Sequence, residues 1–290
     1  MSSPSPSATA LILGAVAYDP KVVTIWDGFQ RYFRARDLPF AYVLFSNYEQ
    51  QVEAHLRGHV QVAWNSPLAW LQTERAAARL GRRAQAICMR NTDRDLHSVI
   101  VVRAGGGIET IGRLRGKIVA VGAPDSPQAT LIPLNHLADH GVMAGQDFGA
   151  KTCDAVAGTH GDRIGGERDA VRALLRGEAD AACLLDANHL AFAREGTIPP
   201  ASTRILTQTA RYDHCAFTVL DGVQSEQVAL FCELLLEMSY GDPDVRPLLD
   251  LEGLKEWVPG RASGYAQLAA AVDRFGTIDT FVTGMELQCR

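Results

Sequence analysis

The chain has 290 residues, with 28 lysines and arginines against 33 aspartates and glutamates, for a formal net charge of -5 with histidine neutral. Hydrophobic residues make up 47% and charged residues 21%, so a sizeable core is available and the length fits one large domain or two ordinary ones. The mildly acidic balance excludes the basic footprint of a nucleic-acid binder, and no apolar run reaches the roughly 20 residues that a membrane-spanning helix needs.

Residues 1–9 are Ser/Pro-rich and uncharged and read as a disordered leader. Residues 10–17 are apolar, have no Lys or Arg before them, and run straight into Tyr18-Asp19-Pro20. A secretory signal has a basic start and a longer apolar region. The run is therefore read as the first strand, and the chain as cytoplasmic as written, or periplasmic if the sequence is that of a mature form. Strands follow at 40–45 and 60–64, with helices at 22–36, 49–57 and 67–80. The segments 84–89 and 98–102 read as paired strands. A short helix at 111–114, a strand at 118–121, a helix at 128–140 ending at Gly141, a helix at 168–176 ending at Gly177 and a strand at 181–185 come next. Helices stopped by glycine follow the left-handed C-cap preference. Strands at 204–207 and 215–220 lead to helices at 225–240, 244–251 and 265–275. Strands alternating with helices predict an α/β fold with parallel sheets covered on both faces.

Two stretches break the rhythm: 98–102, followed by Gly105-Gly106-Gly107, and 204–215. As crossings between lobes they give lobe 1 at 10–103 plus 215–290, an inserted lobe 2 at 104–203, and a return crossover at 204–214. A cleft between two such lobes is a natural ligand site.

Ala123-Pro124-Asp125-Ser126-Pro127-Gln128-Ala129 follows an apolar strand and opens a helix. Ser126 is a good N-cap, and Pro127 suits the first helical position. The N–H groups of Gln128 and Ala129 then point out of the helix start, which with the helix dipole makes an anion pocket. Asn65-Ser66-Pro67 repeats the device after the third strand, and Ser46-Asn47-Tyr48-Glu49 has the S-x-x-E form of a capping box after the second. Tyr18 falls in the same layer beyond the first strand. Each set lies past the carboxyl end of a parallel strand, where open α/β sheets bind ligands, and each also serves as a plain helix cap.

His55 and His59, and His136 and His140, are spaced by four, but no third ligand accompanies either pair and no metal or cofactor is expected. His160 lies in a Gly-rich loop with Arg163, and His189 starts a helix near Asp186. The six cysteines show no finger spacing. His214-Cys215 suggests a nucleophile, yet adjacent strand residues face opposite ways. Alternation sends Cys215 to the core with Phe217 and Val219 and turns His214 toward the cleft.

From residue 11 to about residue 251 the chain resembles the phosphate/phosphite/phosphonate-binding proteins of ABC transporters. The resemblance rests on residues 46–54 and 60–70, on Leu114-Arg115-Gly116-Lys117 through Asp125-Ser126, on Gly158-Thr159-His160, and on residues 169–181. It implies the two-lobed type 2 periplasmic-binding-protein fold, a small polar or anionic ligand, and an ABC permease as partner. In that family a run of small hydroxyl residues holds the anion. Here Ser126 matches, while Pro127 and Ala129 remove hydroxyls, so a less charged or differently shaped ligand is expected. His160 resembles the family's cleft histidine, Asp186 its acidic partner, and Tyr18 its first-lobe aromatic. The expected ligand contacts are Tyr18, Asn47, Tyr48, Asn65, Ser66, Ser126, Gln128, Ala129, His160, Asp186 and His214. The alternative function is a cytosolic enzyme of lyase, decarboxylase or hydrolase type acting on a small organic acid, with His160, His214 and Cys215 as candidate catalytic groups.

Overall fold

The computed structural model describes residues 10–154, 156–223 and 225–289, so the leader at 1–9 lies outside the described residues. Among the described residues no helix is long and apolar enough to cross a membrane. The chain divides into two compact units, one of Met1–Arg94, Cys215–Ala262 and Thr280–Arg290, the other of Asp95–His214 and Ser263–Asp279.

The first unit begins with two repeats of strand and helix and a third strand: β1 (Leu11–Val16), α1 (Lys21–Arg34), β2 (Phe40–Phe45), α2 (Tyr48–Leu56) and β3 (Val62–Asn65). In α1 the residues Val22, Ile25, Trp26, Phe29 and Phe33 are buried, an apolar stripe at helical period that docks on the sheet. The helix α3 (Pro67–Arg79) and strand β4 (Ala84–Arg90) follow. The chain returns late with β10 (Ala216–Leu220), α7 (Ser225–Leu236), α8 (Arg246–Glu252) and β11 (Trp257–Pro259), and α10 (Asp279–Cys289) closes it. The sheet order is β11-β4-β10-β3-β1-β2. β1 pairs in parallel with β2 and β3, whereas β10 runs antiparallel to β3 and β4. The core beneath it joins Trp26, Phe29, Phe33, Trp64, Phe217, Phe231 and Trp257. Each such ring contributes about 2–3 kcal/mol by burial.

The second unit holds β5 (Ser98–Arg103), β6 (Ile118–Val121), α4 (Ile132–Asp139), β7 (Gly149–Thr152), α5 (Gly165–Leu175), β8 (Ala181–Leu185), α6 (Asp186–Arg194) and β9 (Thr203–Gln208), in the sheet order β7-β6-β8-β5-β9. Alternation along β5 sends Val99 and Val101 to one core and Ile100 and Val102 to the other, so both faces of this sheet are covered. Helix α9 (Ala266–Phe275) also belongs to this unit, where Arg274 reaches Asp139 at 2.7 Å and the Asn135 carbonyl at 3.1 Å.

Three expectations are corrected. The sheets are mixed rather than purely parallel, because β5 and β10 run against their neighbours. The strands at 84–90 and 98–103 do not pair, and each finds its partners in a different sheet. The second unit also takes in β5, β9 and residues 263–279, so it is larger than the inserted segment at 104–203 read from the sequence. Gly141 and Gly177 do end their helices at φ 75 and 78, the left-handed region glycine occupies without strain.

Candidate functional site

The Ser126 turn of the second unit is a wide π turn, Pro127–Leu131, followed by α4, and not the single long helix expected. The cause is local. Pro133 has no N–H to offer the Ala129 carbonyl, and that carbonyl instead accepts the Gly122 N–H at 3.2 Å. The Ser126 carbonyl then accepts both the Thr130 and the Leu131 N–H, at 3.2 and 2.9 Å. Ser126 is an N-cap as expected, with its Oγ accepting the Ala129 N–H at 3.2 Å. That N–H is thus taken, which corrects the reading that left it free. Thr130 Oγ donates to the Ala123 carbonyl at 2.7 Å, so the turn's two hydroxyls are both engaged within it. Single π turns inside helices are frequent at functional positions.

Gln128 and the His160 loop meet this turn. Gln128 is buried, and its Nε2 donates to the Gly161 carbonyl at 2.9 Å. Gly161 has φ 78, and a Cβ there would stand 2.3 Å from Ser126 Oγ, so only glycine lets the two loops touch. His160 is fully buried with φ 50, a left-handed conformation uncommon for a side chain with a Cβ. Asp125 accepts the Gly158 N–H. Four buried oxygens around these loops have no hydrogen-bond partner among the described residues: Asp125 Oδ1, Gln128 Oε1, Thr159 Oγ1 and Glu167 Oε1.

The sequence reading named Ser126, Gln128, Ala129, His160, Asp186 and His214, and all lie in this unit. Asp186 begins α6 at the carboxyl end of β8, where its Oδ1 accepts the Ala187 N–H at 2.7 Å. His214 is buried, and its carbonyl accepts the Tyr265 hydroxyl at 3.0 Å. Asp162 and His214 bring a carboxylate oxygen and a ring nitrogen within 4.8 Å of each other, donor types that a divalent metal also takes. Ser98, Tyr212 and Glu167 were missed. Ser98 Oγ donates to the Gln128 carbonyl at 2.5 Å and shares a 2.7 Å hydrogen bond with the Tyr212 hydroxyl, so β5 props the π turn from below. Glu167 Oε2 accepts the Leu185 N–H and Asn188 Nδ2, both at 2.9 Å. Burial pushes its carboxyl above the usual range, offset in part by Asn188, the Leu185 N–H and the Gln128 amide. Its signal in the sequence was faint: one acid on the apolar stripe of α5.

In the first unit Tyr18, Asn47, Tyr48 and Ser66 lie past the carboxyl ends of β1, β2 and β3, as expected, whereas Asn65 is the last residue of β3 itself. Asn47, not Ser46, is the N-cap of α2, with its Oδ1 accepting the Gln50 N–H at 2.9 Å. The capping register is one residue later than the S-x-x-E pattern suggests. Asn65 is fully buried, with its Oδ1 accepting from Gln51 at 2.8 Å and its Nδ2 donating to Thr73 at 3.2 Å. Ser66 caps α3 through the Ala69 N–H at 3.1 Å. Tyr48 is buried, and Lys21 sits 5.9 Å over the half-buried Tyr18 ring. Cys215 lies in the apolar core with Phe217 and Val219, as strand alternation predicts.

The remaining histidines separate. The His136 and His140 rings lie with centroids 4.4 Å apart, tilted at 51°, and His136 Nε2 meets Thr207 Oγ at 2.9 Å. His189 is the fourth residue of α6 rather than its start and lies 3.4 Å from Thr203 Oγ. His55 is buried while His59 is exposed, because Gly58 ends the helix between them at φ 75.

A family model described as ABC transporter, phosphonate, periplasmic substrate-binding protein matches residues 15–265. No curated protein sequence matches the chain. Among solved structures the chain is similar to PhnD1 from Prochlorococcus marinus in complex with methylphosphonate, at 15% identity and a TM-score of 0.68, over 92% of this chain and 98% of that one. It is also similar to XAC2383 from Xanthomonas citri bound to chloride ion, at 19% identity and a TM-score of 0.67, over 91% and 98% of the two chains. The periplasmic aliphatic sulphonate binding protein SsuA from Escherichia coli follows at 18% identity and a TM-score of 0.55, over 93% and 84%. These likenesses show the type 2 periplasmic-binding-protein fold. The family match supports solute binding over the enzyme alternative, and a periplasmic family over the cytoplasmic reading. Because it spans most of the sequence, the chain belongs to the periplasmic substrate-binding proteins of phosphonate ABC transporters.

Proposed function

We propose that the protein captures a small phosphonate-like acid at the Ser126 turn of its second unit and delivers it, in the periplasm, to an ABC permease. The observation that carries the reading is the group of unpartnered polar atoms around that turn, on Asp125, Gln128 and Thr159. A buried polar atom without a partner costs about 1–3 kcal/mol, which a ligand of matching polarity recovers. The Thr159 hydroxyl and the backbone N–H of Gln128 donate to an anionic oxygen. Asp125 Oδ1 and Gln128 Oε1 accept, so the ligand brings a donor of its own, as the P–O–H of a singly ionised phosphonate does. The Thr130 hydroxyl donates to the Ala123 carbonyl, while Ser126 Oγ accepts the Ala129 N–H and keeps its own O–H to donate, so fewer donors face the anion than in a run of free hydroxyls. His160 and Asp186 complete the set of ligand-facing residues in this reading.

Calorimetric titration with methylphosphonate, inorganic phosphate and ethanesulfonate tests the proposal. Saturable binding of methylphosphonate that Ser126→Trp abolishes is expected. No heat with any of the three acids, or unchanged affinity in Ser126→Trp, overturns it.

A further inference from the structure

Helix α7 lays Val228, Phe231, Cys232 and Leu235, spaced i, i+3, i+4 and i+7, on the core of the first unit. The helix packs on β4, where strand alternation turns Cys88 into the same core, fully buried and paired with Phe217 of β10. Phe231, the neighbour of Cys232, meets the Phe217 ring with centroids 5.0 Å apart. Two independent periodicities thus aim two thiols at one spot, and the thiols meet there: Cys88 donates a hydrogen bond to Cys232 Sγ. Both are free thiols in this structure. Cys153 and Cys183 stand in the second unit, the first with its thiol donating to the Lys151 carbonyl and the second in an apolar core.

The pair is asymmetric. The hydrogen bond it donates, and then burial, push the Cys88 thiol well above the ordinary range. Cys232 is only partly buried, and the bond it accepts holds its thiol below the ordinary value. A reachable sulfur with thiolate character attacks first, and a buried one resolves. The place of the pair along the chain gives the link its weight. Cys88 precedes the exit of the chain into the second unit at Asp95, and Cys232 follows its return at Cys215. A bond between them joins the two separate segments of the first unit and encloses Asp95–His214 in one loop. Cross-links that close long loops restrict the unfolded chain the most.

We propose that Cys88 and Cys232 are a disulfide site, closed under oxidising conditions to clamp α7 onto β4. The Cys232 thiolate attacks the disulfide of a small oxidant such as glutathione disulfide, which forms a mixed disulfide and releases one thiol. Cys88 Sγ then attacks Cys232 Sγ, closes the Cys88–Cys232 bond and releases the second thiol. Two electrons pass to the oxidant, and the two protons of the cysteines end on the released thiols. Disulfides persist in a periplasm and are rare in a cytosol. That the cell supplies the oxidant therefore rests on the periplasmic reading above, whereas the chemistry of the pair does not.

The test equilibrates the purified, folded protein in glutathione buffers from fully reduced to fully oxidised. Samples are quenched in acid, unfolded, alkylated and mapped by mass spectrometry. A linked Cys88–Cys232 peptide is expected in the oxidised samples, with Cys153, Cys183 and Cys215 still alkylated. The denaturant midpoint is expected to rise on oxidation and to return with dithiothreitol, and in Cys232→Ser and in Cys88→Ala it is expected to ignore the buffer. Methylphosphonate affinity is expected to be equal in the two forms, so this outcome and that of the ligand proposal are read separately. Both thiols alkylated in the most oxidising buffer, a bridge to a different cysteine, or a bridge that forms only in denatured protein overturns the proposal. A Cys88–Cys232 bridge that leaves the midpoint unmoved overturns the clamp.

Discussion

The two units place polar motifs at the same end of their sheets, but they use them differently. In the first unit Asn47, Asn65 and Ser66 direct their side chains back into the fold: two cap helices, and the third bridges Gln51 and Thr73. In the second unit Asp125, Gln128 and Thr159 each keep one buried oxygen without a partner. The contrast separates residues whose polar groups the fold consumes from residues that keep an acceptor or donor to spare, the ones the proposed function gives to the ligand, although the sequence motifs look alike. Buried polar groups are ordinarily satisfied; in the first unit the orphaned atoms fall on other residues, such as Gln51 and Gln72, and not on Asn47, Asn65 or Ser66, whereas around the Ser126 turn they fall on the motif residues themselves.

The sharpest way to break the comparison is Gly161→Ala. The added Cβ meets Ser126 Oγ and Gln128 Nε2 at a left-handed φ of 78. A loss of about 2 kcal/mol in stability is expected, together with loss of methylphosphonate binding, by denaturant melts and calorimetry. Asn65→Leu is expected to cost about 1–2 kcal/mol through its broken links to Gln51 and Thr73, with ligand affinity unchanged. An affinity that falls in parallel would place Asn65 among the ligand contacts and erase the distinction. In Gln128→Ala both readouts move: stability falls by about 1 kcal/mol through the lost bond to the Gly161 carbonyl, and affinity falls about tenfold.

Spread over several pH units, and so smallest per step, are two stability slopes of opposite sign. His55 in the first unit is held near 3 against an ordinary 6.5, so the folded state binds fewer protons than the unfolded chain between those values. Its contribution is fully present above pH 6.5 and drains away as pH falls toward 3, by at most about 1.4 kcal/mol per pH unit. Glu167 in the second unit has a raised carboxyl, so the folded state holds its proton more tightly, and stability falls as pH climbs above the ordinary 4.5. His55→Asn should flatten the acid limb of the stability profile, and Glu167→Gln the opposite limb. Denaturant melts at a series of pH values read both. Unchanged profiles in the two variants contradict these assignments.

Local physics explains how much of this was legible in the sequence. The apolar stripe of α1 and the glycine stops at 141 and 177 depend on near neighbours, and both read correctly. The partner of β5 does not. Ser98 meets Leu185 across nearly the whole second unit, and nothing near residue 98 announces that pairing. The short strands β7 and β11, of four and three residues, are too brief to show a period. At the candidate site the Ser126 cap was legible because it is a local device, whereas the π turn after it needed both Pro133 and the distant Gly122 N–H. Asn65 illustrates the reverse. Its position past a strand end suggested ligand contact, but the donors and acceptors that claim its side chain come from α2 and α3.

The most direct measurement is a crystal structure of the protein grown with saturating methylphosphonate. The phosphonate is expected with its oxygens about 3 Å from the Gln128 carboxamide and Thr159 Oγ, in the second unit, with Asn65 still bridging Gln51 and Thr73. A phosphonate that instead displaces the Asn65 bridge in the first unit, or that leaves Gln128 and Thr159 untouched, contradicts the division between scaffold and ligand-holding residues.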